Sequence, residues 1–195
     1  MNYEAASEYM IERLRTELPK EYYYHGLSHT LDVLKATVAL AAGENITDPE
    51  TLILLKTAAV YHDCGFLEKY IENEPIAVRM SHEILPRFGY SKSQIDTIGR
   101  IIMTTELKAT PTDLLENIMK DADFDYLGRN DYSPISMKLK KEWEVYGMKK
   151  TLMEWYELQF LFLTNHTFYT ETAKKHRDPT KAKHIEEIKE LLGKK

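Results

Sequence analysis

Cysteine is close to absent from this chain: Cys64 is the single one in 195 residues, so no internal disulfide can form. Glycine and proline are sparse too, at eight and seven residues. That scarcity argues against a loop-rich chain, and no stretch rich in Gly, Ser or Pro reads as a linker. No internal repeat is visible. Strict apolar–polar alternation is missing, which removes the usual sign of half-buried strands. No uninterrupted apolar run reaches the ~20 residues of a membrane span. Positive charge is not in excess either: 26 Lys and Arg face 31 Asp and Glu, for a formal net charge of -5. Phosphate backbones need a basic surface, so a polynucleotide partner is not expected. The opening MNYEAASEYM already mixes acids into the chain and does not look like a signal peptide. The expected address is the cytoplasm, with no membrane partner.

What is present is helical spacing along most of the chain. A 43% hydrophobic and 29% charged composition suits one globular unit with a substantial core. The expected fold class is therefore all-α, a compact helical bundle formed by residues 1–195 as a single domain. The punctuation agrees. Ser28 is placed to cap a helix through LSHTLDVLKATVALAA that ends near Gly43. Asp48-Pro49 opens ETLILLKTAAVYHD, a segment apolar almost all round and so expected at the centre. Gly65 stops it, which puts His62 and Asp63 on its last turn. Ser91 and Gln94 can form a capping box. Pro111 and Thr112 start a helix that runs into Asp121. Pro134 starts a long helix containing Trp143, and Gly147 breaks it before LMEWYELQFLFL. Ile185, Ile188, Leu191 and Leu192 mark a last helix, and AKKHRDPTKAK before it reads as a solvated, charge-rich turn.

The residues that point to chemistry are His29, the adjacent pair His62-Asp63, and an acidic knot with Asp121, Asp123 and Asp125. Two imidazoles and two carboxylates suit one divalent cation of hard to borderline character: Mn, Fe, Co, Ni, Mg or Zn. On a six-coordinate ion, four protein ligands leave two positions open, and open positions let a metal activate water. The bland readings are a helix end for His62-Asp63, a core histidine for His29 and a solvated turn for the acids. The recurrence of all three elements favours the metal. Cys64 has no dedicated base pattern and reads as packing. His166, His176 and His184 fall outside the pattern and read as surface or packing residues.

With these motifs in place, the chain resembles the HD superfamily of metal-dependent phosphohydrolases, whose signature is His, then His-Asp, then Asp on an all-helical scaffold. The resemblance covers about residues 20–130, which would form the metal-site core, with residues 131–195 as a helical extension. It implies His29 in YYHGLSHTLDVL as the first metal ligand and His62 and Asp63 in AAVYHDCGF as the next two. The fourth would be Asp123, by match to the family's Ala-Asp element, with Asp121 as the nearest rival. YYHGLSH is also similar to the Tyr-His-Asn-x-x-His element of cyclic-nucleotide phosphodiesterases, with Gly26 in place of Asn. That likeness implies His25 as general acid, which suits an imidazole titrating near neutrality. Acids after the His-Asp pair orient water in several HD hydrolases, which nominates Glu68, with Glu74 beside it. His82 stands where some two-metal members place a further ligand. The stretch IIMTTELKATP lacks the histidines that follow in those members, so a single metal is expected and His82 becomes a substrate contact. Arg79 and Arg129, with Lys69, are the candidate phosphate contacts.

The expected function is hydrolysis of a small phosphorylated substrate, a nucleotide by family resemblance, through a metal-activated water. The alternative is a non-catalytic HD module that binds a nucleotide or a partner protein for signalling. A plain helical interaction protein without metal is the third reading. The helices after residue 130 leave room for a homodimer surface or a lid.

Overall fold

The computed structural model describes residues 1–194, and its regular structure is all helical, without a strand among the described residues. Nine α-helices follow in order: α1 Tyr3–Glu17, α2 Leu27–Gly43, α3 Pro49–Tyr61, α4 Asn73–Ile84, α5 Lys92–Met103, α6 Leu114–Asp123, α7 Tyr132–Val145, α8 Leu152–Asn165 and α9 Glu171–Leu191. Short 3-10 turns at Cys64–Leu67, Leu85–Phe88 and Asp125–Gly128 link several of them. No helix among the described residues is long and apolar enough to cross a membrane.

The centre is α3, as its composition demands. Leu55, Ala58, Ala59, Val60 and Tyr61 are all wholly buried. Leu, Ala and Val on every face leave no side for water, so α1, α2, α5 and α6 pack around it. One contiguous apolar core takes residues from every helix, from Met10 in α1 to Ile188 in α9.

Helix starts follow local chemistry. Asp48 accepts a hydrogen bond from the Thr51 N–H, with Pro49 in the first helical position. Ser91 and Gln94 close a capping box on α5. Thr151 and Glu154 close a second one on α8, a signal the sequence reading passed over. Three expectations need correction. Ser28 does not cap α2; Gly26 occupies the cap position and Ser28 lies inside the helix. α6 starts at Leu114 under an Asp113 cap rather than at Pro111. The stretch AKKHRDPTKAK is not a turn, because α9 runs through it with Pro179 inside the helix. Two of its charged side chains are held by tertiary contacts that propensity does not encode. Arg177 pairs with Asp125, and Lys181 donates to the His166 carbonyl.

Candidate metal centre and flanking cavities

Three helix ends meet at the site. α2 contributes His29 from its first turn, His62 and Asp63 follow the last residue of α3, and Asp123 is the last residue of α6. Ligand atoms of His29, His62 and Asp123 all lie within 4.8 Å of one another. Asp123 Oδ1 is 3.1 Å from His29 Nε2 and 3.8 Å from His62 Nε2. Asp63 Oδ2 sits 3.5 Å from His29 Nε2 and 3.2 Å from His62 Nε2.

The donor set fits a divalent cation on two observations. His62 Nδ1 donates to the Ala59 carbonyl at 2.8 Å, which fixes the ring and aims Nε2 inward. Both His62 Nε2 and Asp63 Oδ2 are then buried without a hydrogen-bond partner. Buried polar atoms are rarely left so, and a shared ion would satisfy both. The electrostatics agree. Burial alone would lower the His62 pKa, but the charges of Asp63 and Asp123 outweigh it and hold it up at about 9. Burial would raise the Asp63 carboxyl, yet the His62 and His29 rings beside it keep it well below the usual carboxylate range. The site is built to attract positive charge.

The acidic knot resolves by helical geometry. Residues two apart on a helix point ~200° apart, so Asp121 and Asp123 face opposite ways. Asp121 accepts from the Tyr169 and Thr170 N–H groups and the Thr170 hydroxyl, at 2.7–3.1 Å, and so holds the start of α9. Asp125 pairs with Arg177 at 2.7 Å. Asp123 alone of the three turns toward the imidazoles.

His25 lies beside this centre. Its ring stacks on Phe66 with centroids 4.3 Å apart and stands 6.1 Å from the His29 ring. Its Nδ1 meets Glu142 Oε1 at 2.5 Å. Glu142, from α7, is wholly buried and also accepts from the Tyr24 N–H, the His25 N–H and the Tyr70 hydroxyl. Sequence reading missed it, although one signal existed. Glu142 stands three residues after Leu139 and seven after Ile135, an acid on an apolar stripe.

Two cavities flank the centre. A polar cleft of about 230 Å³ is lined by Ser28, His29, Asp32, Asp123, Arg129 and Lys138. A chamber of about 290 Å³ opens on the other side, with His25, Asp63, Asn73, Glu74 and Asp123 at its polar end and aromatic walls beyond. Gly65 makes the chamber's rim possible. A Cβ there would fall 1.9 Å from the Asn73 carbonyl oxygen, so only glycine lets the start of α4 approach the His-Asp pair. Glu72, in left-handed backbone at φ 59°, delivers Asn73 and Glu74 to that position.

Other expected site residues are not brought here. Glu68 and Arg79 pair with each other at 2.5 Å on the surface, each 47% exposed, and line neither cavity. His82 is exposed beside Asp96 at 3.7 Å. The period of α4 explains this. Ala77, Met80 and Ile84 face the core, so Arg79, His82 and Glu83 turn outward. Lys69 pairs with Glu72 at the surface. Arg129 does line the polar cleft, but Asp32, Asp125 and Asp131 hold its guanidinium at 2.8–3.3 Å. Of the two nominated acids, Glu74 is the one at the chamber. Cys64 is fully buried, and burial pushes its thiol pKa up, away from nucleophilic use. His184 stacks on Tyr132 and bonds the Arg129 carbonyl, and His166 is packed among Phe124, Phe162 and Phe168.

Comparison with family models, with characterised proteins and with solved structures yields no match. Functional reading therefore rests on the residues themselves.

Proposed function

We propose that this chain is a metal-dependent phosphohydrolase of the HD type acting on a small phosphorylated substrate. The observation that carries the reading is the convergence of His29, His62 and Asp123 within 4.8 Å, with Asp63 Oδ2 and His62 Nε2 buried and unpartnered between them. His29, His62, Asp63 and Asp123 would hold one divalent cation. When bound, such an ion supplies Lewis acidity and a nucleophilic water at neutral pH.

The chain's own groups do the rest. Glu142 fixes His25 through Nδ1, which leaves Nε2 as the nitrogen that meets a ligand in the chamber. Burial would lower the His25 pKa, but the Glu142 hydrogen bond and the Asp63 charge raise it overall. His25 therefore keeps a proton near neutrality and is placed to give it to a leaving oxygen. Glu74, whose pKa burial raises, stands at the same end of the chamber and can orient water. The aromatic walls exclude bulk water around the reacting group, which strengthens each of these interactions.

The test is phosphate release from a panel of phosphorylated compounds with added manganese, cobalt or nickel. Release that Asp63→Ala abolishes together with metal content supports the enzyme. Metal binding without release from any compound would leave the non-catalytic binding module instead.

A further inference from the structure

The chamber beside Asp63 and Asp123 narrows the substrate, an inference that rests on the hydrolase reading. Among the described residues, no lysine or arginine lines this chamber. Its charged lining groups are His25, Asp63, Glu74 and Asp123, and the charges of Asp63 and Asp123 act on both His25 and Glu74. Proteins grip phosphate chains with Arg, Lys or rows of backbone N–H groups. Among the described residues, His25 and a cation held by the two carboxylates are the positive charges that would face the chamber, since the nearby Lys120 ammonium lies behind Phe124 and donates to the Glu106 carbonyl at 2.6 Å, and those carboxylates already offset a divalent ion. That balance admits one phosphoryl group and gives a second or third nothing to pair with. The polar cleft across the centre carries Arg129, which is tied to Asp32 and Asp131, and Lys138, and neither of them lines the chamber.

The rest of the chamber is apolar. Phe66, Phe124, Phe162, Trp143, Trp155 and Leu158 form its walls, a surface suited to a flat ring system. One neutral polar group stands out. Asn73 is 8% exposed, lines the chamber, and its Oδ1 is buried with no hydrogen-bond partner. Such an atom awaits an N–H or O–H donor. Gln159 lines the chamber too, but its Oε1 is already taken by the Tyr132 and Ser136 hydroxyls.

We infer that the chamber selects substrates with a single phosphoryl group joined to an uncharged aromatic body, and that Asn73 accepts a hydrogen bond from that body.

Both tryptophans of the chain line the chamber, so intrinsic fluorescence reports its occupancy without turnover. The experiment titrates the full-length protein in excess magnesium with phenylphosphonate, methylphosphonate and phenyl triphosphate. Phenylphosphonate is expected to change the emission saturably and to bind at least about tenfold tighter than either of the others. Leu158→Glu, which puts a negative charge in the wall, should erase the advantage over methylphosphonate. Asn73→Ala alters the rim rather than the core and gives a separate reading. It should remove a preference for para-aminophenylphosphonate over phenylphosphonate that the wild type shows. Equal binding of the phenyl and methyl compounds, tighter binding of the triphosphate, or phenylphosphonate binding that leaves the emission unchanged each overturns the inference. The hydrolase reading fails separately. Selective binding without phosphate release from phenyl phosphate contradicts that reading and leaves the selectivity standing, whereas release without aromatic preference does the reverse.

Discussion

Glu142→Ala is expected to be among the most damaging single changes outside the apolar core. The carboxylate is wholly buried and accepts four hydrogen bonds, two at each oxygen. Alanine leaves the Tyr24 and His25 N–H groups without partners, and each buried orphan costs ~1–3 kcal/mol. With the His25 ion pair broken as well, the loss should reach roughly 3–5 kcal/mol. Glu142→Gln separates charge from shape. Its carbonyl can still serve both backbone N–H groups, while its amide turns to His25 Nδ1 and Tyr70. The loss should then be only ~1–2 kcal/mol, the charge-assisted part of the bond. Urea denaturation reads both values. The pair also sets a pH window. His25 is raised above its ordinary 6.5, so its contribution is complete below that value and fades as pH rises through the raised one. Glu142 is lowered from 4.5, so its contribution is present above that value and fades as pH falls through the lowered one. The difference between wild type and Glu142→Gln should therefore be largest between 4.5 and 6.5. In the glutamine variant the His25 titration followed by NMR should move down. An alanine variant as stable as wild type, or a His25 titration that the glutamine change leaves in place, would refute the reasoning.

Further outcomes follow from the same geometry. Gly65→Ala would drive a Cβ to within 1.9 Å of the Asn73 backbone. It should cost at least ~1–3 kcal/mol by urea denaturation, and it should displace Asn73 and Glu74 from the chamber, lowering turnover. Asp123→Ala should abolish metal retention in an elemental assay. Asp121→Ala should keep the metal while losing roughly 2–3 kcal/mol at the start of α9. The double change Glu68→Ala with Arg79→Ala should move stability by less than ~1 kcal/mol and leave phosphate release intact, because the pair is exposed. Saturating divalent metal should raise the melting temperature, by the equivalent of ~2.7 kcal/mol at a hundredfold excess over Kd, and His62→Ala should remove that rise.

The fold class was legible because periodicity and capping chemistry are local. Asp48-Pro49 and the Ser91–Gln94 box mark their helices in the sequence as clearly as in the structure. The run of Leu, Ala and Val in α3 announced its central place. α9 was only half legible. Its charged first half is held by Arg177 on Asp125 and by Lys181 on a carbonyl, contacts made across more than ten residues of chain. In the site, His29, His62, Asp63 and Asp123 stood out by residue type and order. Choosing Asp123 over Asp121 took the motif match, and the helix then shows why the two cannot share a target. Glu68, Arg79 and His82 were misplaced because proximity to the pair in sequence says nothing of which way a side chain turns on α4. Glu142 was hidden by distance, since it reaches His25 from 117 residues away. The chamber itself was out of reach, because it is assembled from the rim of α4 and the inner faces of α7 and α8.

The most direct measurement is an anomalous difference map from crystals of the full-length protein soaked in manganese. The account predicts one strong peak per chain within about 2.3 Å of the inward nitrogens of His29 and His62 and beside Asp123 and Asp63. Crystals that show no peak there, or place the ion on the Asp121 or Asp125 carboxylates, would contradict it.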